Sequence, residues 1–491
     1  MNTPSTDFSG PQHDRDALLK QANLDGGFFN FINGQRTSLS RSLDVVNPAT
    51  GEVIAAVPDA DEAALNDAVA AARHAFPAWA ATPLAERRAL LIEFIARIKA
   101  HEPELTALLT AEHGRPLATS TWELTALTDA FGPALVNLEL PAESADSPFM
   151  GRVSRHYTPL GVVCAICPWN VPALLAMMKI LAALVTGNTV VLKPSPYAPL
   201  TVLRLAEYAL DLLPPGVLNV ITGGDALGPL MTSHPGFDKV SFTGSSYTGK
   251  RVMNSVAGTL KRLTLELGGN DPAIVLPDAD PQKIAESLFW SMFMLNGHAC
   301  ICLKRLYVHE SIYAEVTQAL VAYAAHIKTG DGFAPDSALG PIQNKMQFEK
   351  IRATWAQIQA SGTRVLYQGE APDAGYFFPV TLLDNPSDDA PFVRDEVFGP
   401  IRAIMKYSDL DDVIARANNT RYGLGASVWG NESEQLAQVA GRLNAGTVWI
   451  NQHASLSADV PFGGHRESGF GVEFGVEGLM SYCNLKIVAA R

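Results

Sequence analysis

Cysteine and positive charge are both scarce in this chain of 491 residues, which has five cysteines and 37 basic residues against 50 acidic ones. The net charge of −13 repels a polyphosphate backbone, so nucleic acid is not expected as a partner. Residues 1–16 have neither a basic start nor an apolar stretch, which argues against a secretory signal. Few thiols, in an odd number, therefore predict free cysteines in a reducing, cytoplasmic compartment.

Long hydrophobic runs are also lacking. The most apolar run, residues 171–187, is too short to span a bilayer and carries Lys179 in its middle. We therefore expect a buried helix there and no membrane association. The chain as a whole is 47% hydrophobic, which at this length predicts a large core divided over two or more domains.

The order of predicted elements divides the chain into distinct regions. The first region, up to about residue 129, is rich in Ala and Leu, and its residues 61–109 predict two amphipathic helices that separate near Pro83. Residues 132–158 predict a linker followed by an extended arm. From residue 159, short apolar strands alternate with helices. This pattern is typical of a parallel sheet covered on both faces, which binds ligands at the carboxyl ends of its strands. A second α/β block follows, and residues 479–491 predict a terminal strand with no later strand to pair with.

Two of the cysteines, Cys300 and Cys302, stand after a predicted helix and before a predicted strand. A thiol at the end of an element can face a cleft, so Cys300 is a candidate acyl-forming nucleophile. The alternative is a small buried side chain, which is the usual environment of cysteine. Zinc is disfavoured because a structural site needs a second pair of ligands, and we expect no metal.

Three polar side chains stand at predicted strand ends. Glu266 could act as a general base or be an exposed edge carboxylate. Asn170 could stabilise an oxyanion or cap the next helix. Lys193 could bind ribose or phosphate, or lie on the surface.

The segment VSFTGSSYTGKRV, residues 240–252, predicts a strand, a turn at Gly244 and a capped helix, where backbone N–H groups can hold phosphate. Its GxxxxGK spacing matches a P-loop, but Arg251 stands where a P-loop needs Ser or Thr for magnesium. A dinucleotide pyrophosphate needs no such hydroxyl. A dinucleotide site is therefore favoured over a nucleoside triphosphate site, with an ordinary strand–turn–helix junction as the other alternative.

Seven motifs occur in a characteristic order: PWN, KPS, FTGSSYTG, LELGGN, GHACI, EVFGP and PFGG. Together with VVNPATGEVIAAVP near the start, they closely resemble the aldehyde dehydrogenase superfamily over nearly the whole chain. The resemblance implies an α/β fold with a Rossmann-like parallel-sheet NAD(P)-binding domain, a second α/β catalytic domain and a small β oligomerisation arm. The implied NAD(P)-binding domain covers residues 1–134 and 159–264, and the implied catalytic domain covers 265–465. The oligomerisation arm and C-terminal strand cover 135–158 and 466–491. It also implies a homodimer or homotetramer.

The resemblance also implies a role for each matching residue. Cys300 stands at the nucleophile, Glu266 at the general base, and Asn170 at the amide that forms the oxyanion hole with the Cys300 N–H. The implied reaction oxidises an aldehyde through a thiohemiacetal and a thioester, which water activated by Glu266 hydrolyses. The implied cofactor is NAD, with NADP possible, held by Ile166, Pro168, Trp169, Lys193, Ser195, Gly244, Ser245, Gly249, Leu267, Gly268, Glu396 and Phe398.

Three positions near these motifs depart from the family pattern or vary within it. His298 stands where the family usually has Gln. Pro196 stands where many NAD-preferring members carry a Glu that repels a 2′-phosphate, which makes NADP more tolerable. Cys302 is expected to pack in the core. The alternative is a reversible Cys300–Cys302 disulfide, the redox switch of some semialdehyde-oxidising relatives.

The positions that match the family's substrate tunnel are mostly aliphatic: Val171, Leu174, Leu175, Met178, Met294, Leu456 and Phe462. A substrate carboxylate would find no cationic partner there, so we expect an apolar aliphatic, terpenoid or aromatic aldehyde rather than a semialdehyde acid. Two functions from other classes remain as alternatives: a P-loop-like phosphotransferase and a catalytically silent NAD-binding protein.

Overall fold

The computed structural model describes residues 15–142 and 144–491. The stretch expected to lack a secretory signal lies outside the described residues, apart from its last two. The helices are α1 (Arg15–Gln21), α2 (Glu62–Ala81), α3 (Leu84–Ala100), α4 (Glu102–His113), α5 (Leu117–Thr125), α6 (Gly132–Asn137), α7 (Pro172–Val185), α8 (Leu200–Glu207), α9 (Leu227–Ser233), α10 (Ser246–Ala257), α11 (Pro281–Phe293), α12 (Tyr313–Ala324), α13 (Lys345–Ala360), α14 (Pro391–Arg394), α15 (Leu410–Asn418), α16 (Ser433–Arg442) and α17 (Gly475–Met480).

The strands are β1 (Asn30–Ile32), β2 (Gln35–Thr37), β3 (Ser42–Asn47), β4 (Glu52–Pro58), β5 (Ser144–Ser147), β6 (Gly151–Pro159), β7 (Val162–Ile166), β8 (Thr189–Lys193), β9 (Leu218–Val220), β10 (Lys239–Thr243), β11 (Arg262–Glu266), β12 (Asp271–Val275), β13 (Leu303–His309), β14 (Val365–Gln368), β15 (Thr381–Asp384), β16 (Ile401–Tyr407), β17 (Gly425–Trp429), β18 (Thr447–Ile450), β19 (Gly469–Phe470) and β20 (Cys483–Ala490). They form two large sheets, a three-stranded sheet and the β3–β4 hairpin.

The first large sheet has the order β19-β11-β10-β7-β8-β9-β1-β2. Its five central strands, β11 to β9, run parallel, as the strand–helix alternation predicted. Side chains of β7 alternate between the two faces: Val163 and Ala165 pack with α7 and α8, whereas Val162 and Cys164 pack with α2, α9 and α10. Because helices cover both faces of this sheet, a ligand would bind at the edge formed by the carboxyl ends of its strands.

The second large sheet has the order β14-β15-β16-β13-β12-β17-β18 and is parallel except for β14. The helices α13, α15 and α16 contribute apolar side chains to the core cluster on one face, and α11 and α12 contribute to the cluster on the other. The chain passes from the first sheet to the second through the short link Leu267–Asn270, between β11 and β12. This link therefore joins the end of β11 in the first sheet to the start of β12 in the second.

The third sheet has the order β20-β6-β5. The predicted terminal strand forms β20, which pairs antiparallel with the earlier strand β6 from Cys483–Pro159 to Ala490–Arg152. Its partner precedes it by more than 300 residues, so no local sequence signal announces the pairing. The other edge of β20 has no partner strand within the described residues, and Leu485, Ile487 and Val488 are exposed on it.

Two further predictions for the N-terminal region need correction. The segment expected to hold two helices holds three, because the chain breaks again at His101 and α4 starts with Pro103 in its first turn. Proline is tolerated there because the first N–H groups of a helix have no partner inside it. Residues 132–137, expected to belong to a linker, form α6, which a π-helical turn over Ala126–Phe131 joins to α5.

The apolar run forms α7, in which all residues but Leu175 are buried. Its lysine, Lys179, is only 1% exposed. This confirms the expected buried helix. Within the described ranges, no helix is long and apolar enough to cross a membrane.

Candidate active site

The segment before Cys300 has an unusual backbone. After α11 ends at Phe293, three successive residues adopt the left-handed conformation, with φ of 52° at Leu295, 59° at Asn296 and 75° at Gly297. This conformation costs non-glycine residues about 1–2 kcal/mol each. A Cβ atom at Gly297 would lie 2.3 Å from the carbonyl oxygen of Gly399. Such a strained segment persists only when the surrounding structure holds it in place.

Side-chain donors from four parts of the chain hold this segment. Each of the six carbonyl oxygens from residue 297 to residue 302 accepts a hydrogen bond from a side-chain nitrogen. The donors are Arg402 to residue 297 (3.2 Å), Asn170 to residue 298 (2.8 Å), Lys304 to residues 299 (3.1 Å), 300 (2.7 Å) and 302 (3.4 Å), and His453 to residue 301 (2.9 Å). The backbone that carries Cys300 is therefore fixed peptide by peptide.

The Cys300 side chain is half-buried beside the cluster of apolar residues around α7. Burial raises the pKa of its thiol to about 12, and the Lys304 ammonium opposes that rise. The carboxylates of Glu396, Asp271 and Glu266 raise it further. The thiol is thus protonated at neutral pH in this state, and its reaction as a nucleophile requires that the proton be removed.

Glu266 is the last residue of β11 and pairs in register with Thr243 of β10. It is only 6% exposed, so the alternative of an exposed edge carboxylate was wrong. Neither carboxylate oxygen has a hydrogen-bond partner in the described part of the chain. Burial, and then the carboxylate of Glu473, raise the pKa of Glu266 well above its ordinary value, while Lys179 opposes them. A carboxyl group with a raised pKa and no competing partner is suited to accept a proton.

A buried ion pair lies beside Glu266. Lys179 of α7 pairs with Glu473, and its Nζ donates to Oγ of Ser241 at 2.9 Å. Ser241 in turn donates to Glu473 at 3.1 Å and accepts from the hydroxyl of Tyr482 at 3.4 Å. The negative charge of Glu473 is thereby offset by a cation and a hydroxyl, as a buried carboxylate requires.

The strand ends of the first sheet bring several predicted residues together. Ile166, at the end of β7, pairs in register with Lys193 at the end of β8 and with Phe242 of β10. Lys193 is buried, so the surface alternative was wrong, and burial lowers its pKa to about 8. Pro168 and Trp169 follow β7 after one intervening residue, Cys167. These residues lie at the edge where a parallel sheet binds its ligands.

The turn at Gly244 leads into α10, as predicted. Oγ of Ser245 accepts a hydrogen bond of 3.2 Å from the Thr248 N–H, so Ser245 caps the helix. Gly249 lies within α10 against Leu267, where a Cβ atom would come within 2.4 Å of a Leu267 methyl carbon. Lys250, which would be the P-loop lysine, pairs instead with Glu467 at 2.7 Å. The helix start is thus well formed, but the lysine does not support a P-loop.

The link after β11 contacts Glu396. Oε1 of Glu396 accepts from the Gly269 N–H at 3.1 Å and lies 3.3 Å from Nζ of Lys304. A Cβ atom at Gly268 would lie 2.4 Å from the other carboxylate oxygen, so glycine there makes room for this side chain. Glu396 therefore connects the end of the first sheet with the Cys300 segment.

Three rings form an aromatic cluster next to this segment. The Trp169 ring lies edge-on to His298 at 5.1 Å and to Phe398 at 5.4 Å. Burial lowers the pKa of His298 to about 3, so its imidazole is neutral. The backbone oxygen of His298 accepts from Asn170, so the alternative that Asn170 caps α7 was wrong. The cluster unites three residues that the motifs singled out.

The chain matches the model of the aldehyde dehydrogenase family over residues 33–488. It is 37% identical over 465 residues to aldehyde dehydrogenase LUC3 of Fusarium sp, with 94% of this chain and 98% of that protein covered. It is 38% identical over 470 residues to phenylacetaldehyde dehydrogenase of Pseudomonas fluorescens, with 92% of each covered. The solved NAD⁺ complex of aldehyde dehydrogenase from Bacillus cereus is 34% identical, with a TM-score of 0.93 over 96% of this chain and 98% of that chain.

This chain belongs to the aldehyde dehydrogenase family. The resemblance drawn from the seven motifs is thereby confirmed, and with it the α/β fold of the family and the enzyme class.

The predicted tunnel residues of this aldehyde dehydrogenase belong to one apolar cluster, which also contacts Cys300. Four of them are buried and three are half-buried at its border; the buried ones are Val171, Leu174, Met178 and Phe462, and the half-buried ones are Leu175, Met294 and Leu456. The sulfur of Cys300 thus has this apolar cluster as one of its neighbours.

Sequence reasoning missed the partners of several buried cations near the site. Lys304 and Arg402 both hold the Cys300 segment, and Lys179 pairs with Glu473. Lys179 and Arg402 each stand alone among apolar residues, whereas Lys304 adjoins Arg305, which is also buried. A buried charge needs a partner, so a Lys or Arg within an otherwise apolar strand or helix was the signal that could have revealed them.

The cysteines of this aldehyde dehydrogenase are all free thiols. Cys164 and Cys167 have the CxxC spacing, which the prediction of no metal did not consider; both are buried, and burial raises the pKa of each to about 12. In residues 15–142 and 144–491, no group of three or more His, Cys, Asp or Glu could hold a metal ion. Cys302 is fully buried, and its thiol lies 3.6 Å from the Met294 carbonyl oxygen.

Proposed function

We propose that this aldehyde dehydrogenase oxidises an aldehyde to the carboxylic acid with NAD⁺, through a covalent adduct on Cys300. One observation supports this most strongly. The Cys300 thiol stands on a rigidly held segment that packs against the link after Glu266: a Cβ atom at Gly269 would lie 2.6 Å from the Cys300 carbonyl oxygen. Both carboxylate oxygens of the buried Glu266 lack a hydrogen-bond partner in the described residues. A nucleophile with a base near it is what acyl transfer requires.

The first step is attack of the Cys300 thiolate on the aldehyde carbon, which forms a C–S bond and an oxyanion. The side-chain amide of Asn170 has two N–H groups, and one of them donates to the carbonyl oxygen of residue 298. The second, together with the backbone N–H of Cys300, stabilises the oxyanion. Donors held in place before the reaction are worth about 10²–10³ in rate.

Hydride then leaves the adduct, and bound NAD⁺ supplies the acceptor for it. The residue left on Cys300 is a thioester. Glu266 removes a proton from water, which attacks the thioester carbon and releases the carboxylic acid and the Cys300 thiol. General-base help of this kind contributes about 10²–10⁴ in rate.

The residues around the strand ends fit a dinucleotide. Lys193 ends β8 and Ser195 follows it, while Gly244 and Ser245 form a helix start that can hold a pyrophosphate. Glu396 is suited to bind a ribose hydroxyl, and Phe398 to contact a flat ring. Pro196 provides no carboxylate against a 2′-phosphate, so NADP is accepted as well, with NAD preferred.

The substrate we propose is an apolar aliphatic, terpenoid or aromatic aldehyde. The seven tunnel residues support this, because all of them are apolar and none can pair with a substrate carboxylate. The relative named phenylacetaldehyde dehydrogenase, 38% identical, is consistent with an aromatic aldehyde. The semialdehyde alternative with a Cys300–Cys302 switch is not favoured, because Cys302 is fully buried.

We propose that two or four copies assemble through the three-stranded sheet, with the domain ranges that the resemblance implies. The free edge of β20, with its exposed Leu485 and Ile487, supports strand pairing with a second copy. A cytoplasmic location is proposed from the five free thiols, which a reducing compartment would maintain.

The test is a panel of aldehydes followed by the absorbance of NADH or NADPH, with wild type and Cys300→Ala side by side. We expect reduction with apolar and aromatic aldehydes, faster with NAD⁺, and none with Cys300→Ala, although the variant still binds the cofactor. Full activity of Cys300→Ala, or turnover of ATP without reduction of either cofactor, would overturn the proposal.

A further inference from the structure

Lys304, the second residue of β13, is buried near the centre of the candidate active site. It is only 5% exposed, and its ammonium lies within 3.4 Å of four oxygen atoms. Three are the carbonyl oxygens of residues 299, 300 and 302, and the fourth is Oε1 of Glu396 at 3.3 Å. A buried ammonium has three N–H groups to share, so all its donors are engaged.

The bond to residue 299 acts on the nucleophile's own peptide group. The carbonyl of Ala299 and the N–H of Cys300 belong to the same amide, and Nζ of Lys304 lies 3.1 Å from that carbonyl oxygen. A cation on the oxygen of an amide draws electron density from its N–H, which becomes a stronger donor. The Cys300 N–H is one of the two donors assigned above to the oxyanion.

The ion pair between Lys304 and Glu396 connects the same ammonium to a residue proposed above to bind the cofactor. Glu396 is held by Lys304 and by the Gly269 N–H. If Glu396 turns toward a ribose hydroxyl, its bond to Lys304 weakens and the full charge of Lys304 acts on the Cys300 segment. The occupancy of the cofactor site would then affect the reactivity of the sulfur.

We propose that Lys304 is a positioning residue of the reaction, which holds the peptide groups on both sides of Cys300. Its ammonium polarises the N–H that faces the oxyanion, and its positive charge stabilises both the Glu396 carboxylate and the thiolate. This rests on the proposed role of Cys300 as the nucleophile. No motif used to recognise the family contains this lysine.

The charged groups that face Cys300 come from four elements and have opposite effects. Lys304 of β13 lowers the pKa of the thiol, whereas Glu396 (after α14), Asp271 of β12 and Glu266 of β11 raise it. Asp271 is itself buried, and burial raises its pKa to about 7. Replacing one group at a time therefore gives shifts of known sign.

The experiment measures the rate at which iodoacetamide alkylates Cys300 as a function of pH, by mass spectrometry of the Cys300 peptide, in the full-length protein without cofactor. For Lys304→Met we expect the apparent pKa of the thiol to rise by about one unit or more, which slows alkylation about tenfold below that pKa. Lys304→Arg keeps the charge and should remain near wild type. Glu396→Gln should shift the profile the other way, to lower pH.

Turnover gives a second measurement. Lys304→Met should lower kcat by about tenfold or more with little change in KM, and Lys304→Arg should recover part of it. A melting temperature near that of wild type is the control for folding. If Lys304→Met does not fold, Lys304→Gln, which keeps N–H donors but removes the charge, gives the same measurement.

An unchanged alkylation profile in folded Lys304→Met, or in Glu396→Gln, would overturn this proposal. The alkylation measurement needs no aldehyde and no turnover. It therefore separates failure of the Lys304 proposal from failure of the proposed function, which active Cys300→Ala would reveal.

Discussion

The side-chain amide of Asn170 donates a 2.8 Å hydrogen bond to the backbone carbonyl oxygen of His298, two residues before Cys300. The two residues are 128 positions apart in sequence. Asn170 follows β7 of the first large sheet, and His298 precedes β13 of the second. Asn170 thus fixes the position of the Cys300 segment in addition to providing a donor near the sulfur. This gives Asn170 two effects on catalysis, one on the position of the sulfur and one on the oxyanion.

Replacing Asn170 should lower kcat strongly. Asn170→Ala removes the oxyanion donor and the tether of the Cys300 segment together, so we expect kcat to fall by about 10²–10³. Steady-state kinetics with a good aldehyde substrate measure the effect. Asn137→Ala, at an exposed asparagine that bonds the backbone of its own helix, is the matched control and should leave kcat unchanged. Wild-type kcat in Asn170→Ala would show that neither effect matters.

Replacing Cys302 should leave the enzyme active. Cys302 is fully buried, and its thiol faces the Met294 carbonyl oxygen rather than a cleft. We expect Cys302→Ala to keep kcat within a few-fold of wild type, with a stability loss of about 1 kcal/mol for the removed sulfur. Kinetics and thermal melting check both numbers. An inactive Cys302→Ala beside an active Cys300→Ala would reverse the assignment of the nucleophile.

The pH dependence of thioester hydrolysis should respond to Glu473. Hydrolysis needs the carboxylate of Glu266, so its rate rises with pH through the Glu266 pKa and levels off above it. The charge of Glu473 raises that pKa. Glu473→Gln removes this charge, the Glu266 pKa falls, and the acid limb of the profile shifts to lower pH. Single-turnover rates of acid release across a pH series measure the shift.

A shift of the Glu473→Gln profile to higher pH would contradict this electrostatic relationship. The variant also leaves Lys179 buried without its carboxylate, which should cost about 3–5 kcal/mol of stability. Lys179→Met combined with Glu473→Gln removes both charges and should recover much of that loss. Chemical denaturation of the single and double variants separates stability from the pH effect.

Two glycines should respond in opposite ways to the same substitution. Gly114 has φ of 77°, and a Cβ atom there would lie 2.4 Å from Pro341 and 2.7 Å from Pro48. Left-handed strain and overpacking together predict that Gly114→Ala lowers the free energy of unfolding by about 2–5 kcal/mol. Gly441, near the end of α16, has open space around it, so Gly441→Ala should raise the free energy of unfolding by up to about 1 kcal/mol. Urea denaturation of both variants tests the pair, and equal effects would contradict the account.

The sequence predicted those parts of the site that depend on local order. Glu266, Lys193 and Gly244 end or follow apolar strands, and parallel strands bring such ends to one edge whatever the rest of the chain does. The Ser245 cap was predictable for the same reason, since a cap bonds within its own first turn.

The remaining contacts join distant positions. Lys179 meets Glu473 across 294 residues, and His453 meets Ile301 across 152. No local pattern encodes such a pairing, and the same distance hid the β20–β6 pairing of the third sheet. Lys304 is closer in sequence to what it binds, but its role depends on which way the chain turns after Gly297. The left-handed stretch that decides this contains Leu295, a residue for which that conformation is uncommon.

The central claim is a covalent bond between the substrate and one sulfur atom. The most direct measurement uses Glu266→Gln mixed with an aldehyde and NAD⁺, quenched in acid and analysed by mass spectrometry of its peptides. The account predicts one equivalent of NADH and an acyl group, two hydrogens lighter than the aldehyde adduct, on the peptide that contains residues 299–303, located on Cys300 by fragmentation. NADH formed with that peptide unmodified, or with the acyl group on Cys302, would contradict it.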